Sequence, residues 1–249
     1  MEKISSRKNA YISHVRALAS DSAYRREQEQ FLCDGIKTLK EALAFGAEIV
    51  SVMWKGTAQE FHGLEGVMQY VVPEELFDYA SPMKNSPGPL FAVRVKKNLS
   101  KTPIKQAIVL ENLQDPGNVG TVIRSANALG VDAVILVGSC ADLYNPKTVR
   151  ATMGAIFRQR VIQADFDGLR EFLARNALKL YGAALSDSAL DIRQLSLDSC
   201  AVAIGSEGQG LSREFLDICH GQLIIPMQPD SESFNAAVAA AIVMWEMKR

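Results

Sequence analysis

Arg124 lies within the stretch LENLQDPGNVGTVIRSANALG, residues 110–130, where Gly117, Gly120 and Thr121 share its helical face. A guanidinium is a planar fork of donors that suits phosphate oxygens better than a lysine ammonium does. The arginine would stand above a glycine-lined polar loop; the plain alternative is a solvated charge on an ordinary strand-turn-helix. Two further clusters put glycine or polar residues at the end of an apolar run. In 201–211, Ala201-Val202-Ala203-Ile204 runs straight into Gly205, Gly208 and Gly210. Glycines there allow positive φ and let a ligand approach the backbone closely; the alternative is a simple glycine turn. The spacing is G-x-x-G-x-G, so the G-x-G-x-x-G order of a dinucleotide site is absent. In 223–235, Leu223-Ile224-Ile225-Pro226-Met227 leads into a polar loop ending Ser233-Phe234-Asn235. Ser233 and Asn235 there are candidate helix caps. None of the three stretches holds a histidine, so the commonest general base is missing.

The elements that must position these residues follow from periodicity. Ile108-Val109-Leu110 reads as a buried strand end, and Asp115-Pro116-Gly117-Asn118 as a turn with Asn118 as N-cap. Val119, Val122, Ile123, Ala126 and Leu129 then form one apolar helical stripe. Strands are expected at 107–111, 133–137, 179–184, 201–204 and 223–226, with helices at 118–129, from Asn145-Pro146 and from about Asn235. Such βαβ alternation predicts a parallel sheet covered on both faces. Ligands in open α/β sheets sit outside the carboxyl ends of strands, so three clusters at strand ends converge on one edge. The run Ala236-Ala237-Val238-Ala239-Ala240-Ala241 makes a narrow helix, suited to close packing within the fold or against a second subunit.

The first half has its own plan. Residues 1–30 read as helical with mixed charge, 31–33 as a strand, 36–43 as a helix closed by Gly46, and 49–54 as a second strand. Tyr70-Val71-Val72 precedes a helix start at Pro73-Glu74-Glu75, and 90–95 alternates as a strand. The polar, basic run ending at Pro103 marks a linker. The chain is thus expected to be a small α/β domain over 1–97, a linker over 98–105 and a larger α/β domain over 106–249.

Composition fits a soluble globular protein, with 48% hydrophobic and 22% charged residues. The longest apolar stretch, 236–245, is too short to span a bilayer, which needs about 20 residues. No apolar leader follows the first charges, so a cytoplasmic protein without membrane attachment is expected. Cys33, Cys140, Cys200 and Cys219 are too dispersed for a metal site or a disulfide framework, and reduced thiols with no metal are expected. The net charge of −1 does not announce a nucleic-acid binder, but residues 1–105 carry 15 basic against 12 acidic residues. A phosphate-binding surface would therefore be a local patch favouring the first half.

The three stretches together resemble the motifs of the SpoU (TrmH-like) RNA ribose 2′-O-methyltransferases of the SPOUT superfamily. The first, N-x-x-D-P-x-N-x-G-x-x-x-R, is matched by Asn112, Asp115, Pro116, Asn118, Gly120 and Arg124. The second appears as Gly205-Ser206-Glu207-Gly208-Gln209-Gly210. The third, usually I-P-M then S-L-N, appears as Ile225-Pro226-Met227 and Ser233-Phe234-Asn235, with Phe234 in place of leucine. The stretch 148–154 resembles an intermediate family motif, and 31–35 is similar to the F-x-V-E-G of an L30e-like substrate-binding domain. The resemblance implies a C-terminal trefoil-knot domain that binds S-adenosylmethionine, an N-terminal L30e-like RNA-binding domain, and a homodimer. It implies that Gly205, Gly208, Ile225, Met227 and Phe234 line the donor pocket. It also implies that Arg124 is the main catalytic residue, with Asn118, Glu207, Ser233 and Asn235 holding the ribose, the phosphate and Arg124. The substrate it implies is RNA, ribosomal RNA ahead of transfer RNA.

Methyl transfer from a sulfonium is an in-line displacement, and alignment alone can supply roughly 7–11 kcal/mol. The family proposes Arg124 as the base. Guanidinium ordinarily stays protonated, with a pKa above about 12, which favours phosphate binding and stabilisation of charge on the 2′-oxygen, with or without proton uptake. Two other readings stay open on the residues: a non-catalytic RNA-binding factor with the same fold, and methylation of a base.

Overall fold

The computed structural model describes residues 1–96, 102–186, 188–229 and 232–249. These divide between a first unit, Met1–Lys97 with Asp142–Phe157, and a second, Asn98–Ala141 with Arg158–Arg249. The expected linker begins outside the described residues; its later part, 102–105, is irregular and leads into the first strand of the second unit.

In the first unit, β1 (Glu2–Lys3), α1 (Ala10–Ser20), α2 (Ser22–Gln28), β2 (Gln30–Asp34) and α3 (Ile36–Ala44) come first. They are followed by β3 (Ile49–Lys55), β4 (Met68–Val72), α4 (Glu74–Ala80) and β5 (Leu90–Arg94). The strands form a mixed sheet in the order β1-β4-β3-β5-β2, with β5 antiparallel to β2 and β3. Side chains alternate across the strands. Leu32, Met53 and Ala92 meet Ile12, Val15, Leu18 and Phe77 on one face, while Phe31, Cys33, Trp54 and Val93 meet Leu39 and Ala42 on the other. Because both faces are covered, the first four residues of β5 are all buried. The helical start expected over 1–30 is interrupted. Asp21 ends α1 through its backbone N–H and caps α2 by accepting from the N–H groups of Ala23 and Tyr24. The strand β1 leaves no apolar signal in the sequence, because its two residues, Glu2 and Lys3, are polar and exposed.

The second unit opens with β6 (Gln106–Glu111), α5 (Pro116–Leu129) and β7 (Ala133–Val137). Its first helix starts two residues earlier than the periodicity suggests. Asp115 is the N-cap, its carboxylate accepting from the N–H of Asn118 at 2.7 Å, and Pro116 fills N1. Asn118 is therefore inside the helix, and its side chain is free for other work. Val119, Val122, Ile123 and Ala126 are buried as the stripe requires. Gly120, expected on the outward face, is buried as well; Thr121 and Arg124 are exposed.

After β7 the chain contributes α6 (Pro146–Ala151) and a 3-10 turn, Ala155–Phe157, to the first unit. Asn145 caps α6 as expected, accepting from the N–H of Lys147. The buried Arg25 donates through Nε (3.1 Å) and Nη2 (2.6 Å) to Asp142, and through Nη1 to the Leu18 carbonyl. The Tyr144 ring lies 4.7 Å from that of Phe31. Sequence placed 142–157 in the second domain. Its partners lie more than 100 residues away along the chain, so no local pattern marks where it packs.

The second unit resumes with β8 (Val161–Ala164), α7 (Phe166–Asn176), β9 (Lys179–Ala183), β10 (Leu190–Asp191), β11 (Cys200–Ile204), α8 (Arg213–Asp217), β12 (Gly221–Ile224) and α9 (Ala236–Glu246). All seven strands are parallel, in the order β10-β12-β9-β11-β6-β7-β8. The unexpected strands β8 and β10 are short and lie at the two edges, where burial leaves little pattern. Val109, Ile135, Ala203, Leu169 and Phe215 pack on one face. On the other, α9 packs against α5 and β11 and buries Ala237, Ala240, Val243 and Met244. Among the described residues, no helix is long and apolar enough to cross a membrane.

Candidate active site

Strand β6 lies between β11 and β7, and β11 in turn pairs with β9 and β9 with β12, so their carboxyl ends share one edge. Beyond β6, Asn112 adopts φ +53° and accepts from the N–H of Ser139 at 2.7 Å. Gly138 takes φ +71°, and a Cβ there would lie 2.4 Å from the Asn112 oxygen, so glycine suits the position on both counts. Asn112 is thus a staple between the ends of β6 and β7. The buried Glu111 carboxylate accepts from the N–H of Ser212 at 2.8 Å, tying β6 to the residue that caps α8.

The second cluster folds back on itself. Ser206 N–H donates to the Gly210 carbonyl at 3.1 Å and Gly210 N–H to the Ser206 carbonyl at 2.9 Å. Gly205 packs against the returning backbone: a Cβ there would fall 2.0 Å from the Gly210 carbonyl carbon and 2.3 Å from Leu211 N. Gly210 takes positive φ, and nothing lies within 4 Å of a Cβ placed at Gly208. The three glycines serve three purposes: close approach, turn geometry and open space.

Beyond β12, residues 225–227 and 232–235 complete the edge. Asn235 caps α9 through its side-chain oxygen, which accepts from Ala237 N–H at 3.0 Å and Val238 N–H at 3.3 Å. A cavity of about 500 Å³ opens between these loops, within the size range of small-molecule sites. All five residues expected to hold a donor line it: Gly205, Gly208, Ile225, Met227 and Phe234. Glu207 and Ser233 line it too.

Asn118 and Asn235 reach the same place through hydrogen bonds. Asn118 Nδ2 donates to the Glu207 carboxylate, and Asn235 Nδ2 donates to Asn118 Oδ1 at 3.1 Å. One chain of side chains therefore links the first turn of α5, the loop after β11 and the N-cap of α9. Arg124 is not part of it. It is exposed on α5, does not line the cavity, and makes no hydrogen bond or ion pair among the described residues. Ser233 is also exposed and without a side-chain partner among them.

One wall comes from a strand end outside the three clusters. Ala183, Ala184 and Leu185, at the carboxyl end of β9, line the cavity. The polar residues Ser186-Asp187-Ser188 follow that strand as others follow β6 and β12, which was the available signal.

None of the histidines 14, 62 and 220 lines the cavity. The four thiols are unpaired, and burial pushes each up: Cys219 to about 11, Cys200 to about 12, Cys140 above its ordinary value and Cys33 well above it. A thiolate nucleophile near neutral pH is thereby disfavoured. The cavity wall offers two carboxylates, Glu207 and Glu232, and Arg124 stands exposed on α5 without a hydrogen-bond or ion-pair partner among the described residues.

Residues 105–245, more than half of the chain, match the model of the SpoU rRNA Methylase family. The chain is 29% identical over 249 residues, the full length of both proteins, to the 23S rRNA (guanosine(2553)-2′-O)-methyltransferase RlmP of Bacillus subtilis. Its fold matches an AdoMet-bound rRNA methyltransferase from Sinorhizobium meliloti with TM-score 0.87 at 24% identity, over 99% of this chain and 97% of that one. It also matches an RNA 2′-O ribose methyltransferase with TM-score 0.81 at 26% identity, over 98% and 97%.

Proposed function

The chain belongs to the SpoU rRNA methylase family, and from that membership and the site geometry we propose that it methylates a ribose 2′-hydroxyl of ribosomal RNA, with S-adenosylmethionine as donor. The observation that carries this reading is the Glu207–Asn118–Asn235 chain, whose Glu207 lines a cavity shared with Gly205, Ile225 and Phe234. A donor of that size suits the cavity. The site around Gly205 has no room for a side chain, while Gly208 exposes backbone to an incoming ligand. When bound, S-adenosylmethionine supplies an electrophilic methyl group on a sulfonium. Gly205, Gly208, Ile225, Met227 and Phe234 would hold it, the glycines through backbone groups.

The protein's own residues must align the acceptor, where most of the rate gain of such a displacement lies. Glu207 accepts from Asn118 in the structure and has a second oxygen for a ribose hydroxyl. Asn235 is held on both sides, by Asn118 and by the first turn of α9, so its position is fixed before substrate arrives. Arg124 is assigned two tasks: binding the phosphate beside the target ribose, and stabilising negative charge that develops on the 2′-oxygen. Ser233, unpartnered at the cavity wall, is assigned to the ribose or phosphate. The first unit, 1–97 together with 142–157, is assigned to RNA recognition.

Incubating the protein with methyl-labelled S-adenosylmethionine and deproteinised 23S rRNA tests this. Label is expected in dinucleotides that resist alkaline cleavage, because a 2′-O-methyl group removes the attacking hydroxyl. Label on a base would overturn the ribose assignment; no transfer, despite donor binding, would favour a binding factor.

We further propose a homodimer through α9. Val238 and Trp245 are 47% and 67% exposed, and with half-buried Ala241 and Ile242 they form an i, i+3, i+4, i+7 apolar stripe opposite the buried face. Such a stripe is the kind of surface that a second copy covers. Trp245→Glu is expected to convert a dimer to a monomer in light scattering; a wild-type monomer at micromolar concentration would overturn the proposal.

A further inference from the structure

Residues 3–20 contain Lys3, Arg7, Lys8 and Arg16 and no acidic residue, so the basic excess of the first half is concentrated here. The first unit organises part of this charge. The guanidinium carbon of Arg7 lies 4.6 Å, and that of Arg16 4.3 Å, from the ring centroid of Tyr79 on α4. Arg16 also donates through Nη1 to the Tyr79 hydroxyl. Both arginines are exposed, and neither forms an ion pair among the described residues. Of the acids on α4, Asp78 is taken by Lys55 at 2.7 Å, and Glu74 and Glu75 form no ion pair with either arginine.

Cation–π contact explains why each arginine approaches the ring. It does not neutralise them. Two guanidiniums on one ring lie within about 9 Å of each other, close to one screening length at physiological salt, so their charges act together. Each keeps most of its five donors free, with the ring limiting the freedom that binding would otherwise have to remove. An uncompensated, pre-ordered pair of this kind fits a polyanion with regularly spaced phosphates. A single acidic side chain would satisfy only one of the two.

We propose that Arg7 and Arg16, braced on Tyr79, form a contact for the sugar-phosphate backbone of the RNA substrate on the first unit. The proposal rests on the reading that the substrate is RNA. Contacts of this class carry affinity and register, without sequence information.

The test compares wild type with the Arg7→Gln/Arg16→Gln double variant, using filter binding to a full 23S rRNA transcript across a potassium chloride series. S-adenosylmethionine affinity and thermal melting are measured on both proteins. Loss of two phosphate contacts is expected to make the slope of log K against log salt shallower by about 1.5 and to weaken binding about ten-fold at physiological salt. Donor affinity and melting are expected to stay as in wild type. An unchanged slope for the double variant, alongside a wild type that methylates RNA, would overturn the backbone contact and leave the proposed function standing. A shallower slope for the double variant, alongside a wild type that transfers no methyl group to RNA, would overturn the proposed function and support the contact.

Discussion

Arg124→Ala is expected to lower kcat for methyl transfer about 10³-fold, the scale seen when one group that stabilises developing charge is removed. S-adenosylmethionine affinity and melting temperature are expected to stay close to wild type. The separation follows from where the residue sits. Arg124 is exposed, has no partner among the described residues and does not line the cavity, so its removal breaks no folding contact and no donor contact. Arg124→Lys keeps the charge but loses the planar fork, and most of the activity is expected to go with it. Single-turnover rates, calorimetry with S-adenosylmethionine and thermal melts decide the matter together. A lysine variant with near-normal kcat would show that neither the bidentate phosphate contact nor a proton-accepting role is needed.

Gly205→Ala is expected to act in the opposite way, by destroying the donor site. Its Cβ would fall 2.0 Å from the carbonyl carbon and 2.2 Å from the oxygen of Gly210, and 2.3 Å from Leu211 N. These are backbone atoms of a paired turn. The residue before Gly205 is the last of β11, held in register against Leu110. With neither side free to yield, the Ser206–Gly210 pairing must open. The expected result is a loss of stability of about 3 kcal/mol, at the upper end of overpacking, and donor affinity reduced at least about 100-fold. Gly208→Ala provides the contrast: nothing lies within 4 Å of the added carbon, so the melting temperature is expected not to change. Equal donor affinity in Gly205→Ala and wild type would show that the turn does not shape the pocket.

Much of the site was legible in the sequence because its signals are local. An apolar run, a glycine or proline, and a capping residue are neighbours on the chain, and they placed three loops at the ends of three strands. The roles inside those loops were less legible. Asn118 reads as a cap because its type and position suit one, yet Asp115, three residues earlier, takes that place with Pro116 behind it. The amide so released bridges Glu207 and Asn235, which lie 89 and 117 residues away. Gly120 shares a helical face with Arg124 by periodicity and is nevertheless buried, because that face is not uniformly open to solvent.

The α/β class, the strands at the sheet centre and the helix stripes follow from side-chain periodicity and turn chemistry within a few residues. The roles of the site residues rest instead on the resemblance of three local motifs to a known family. Three-dimensional packing alone puts 142–157 with the first unit, makes the end of β9 a cavity wall and sets two arginines on one tyrosine. Each of these joins residues far apart along the chain. Such pairings depend on which strand lies beside which, and local pattern carries no record of that order.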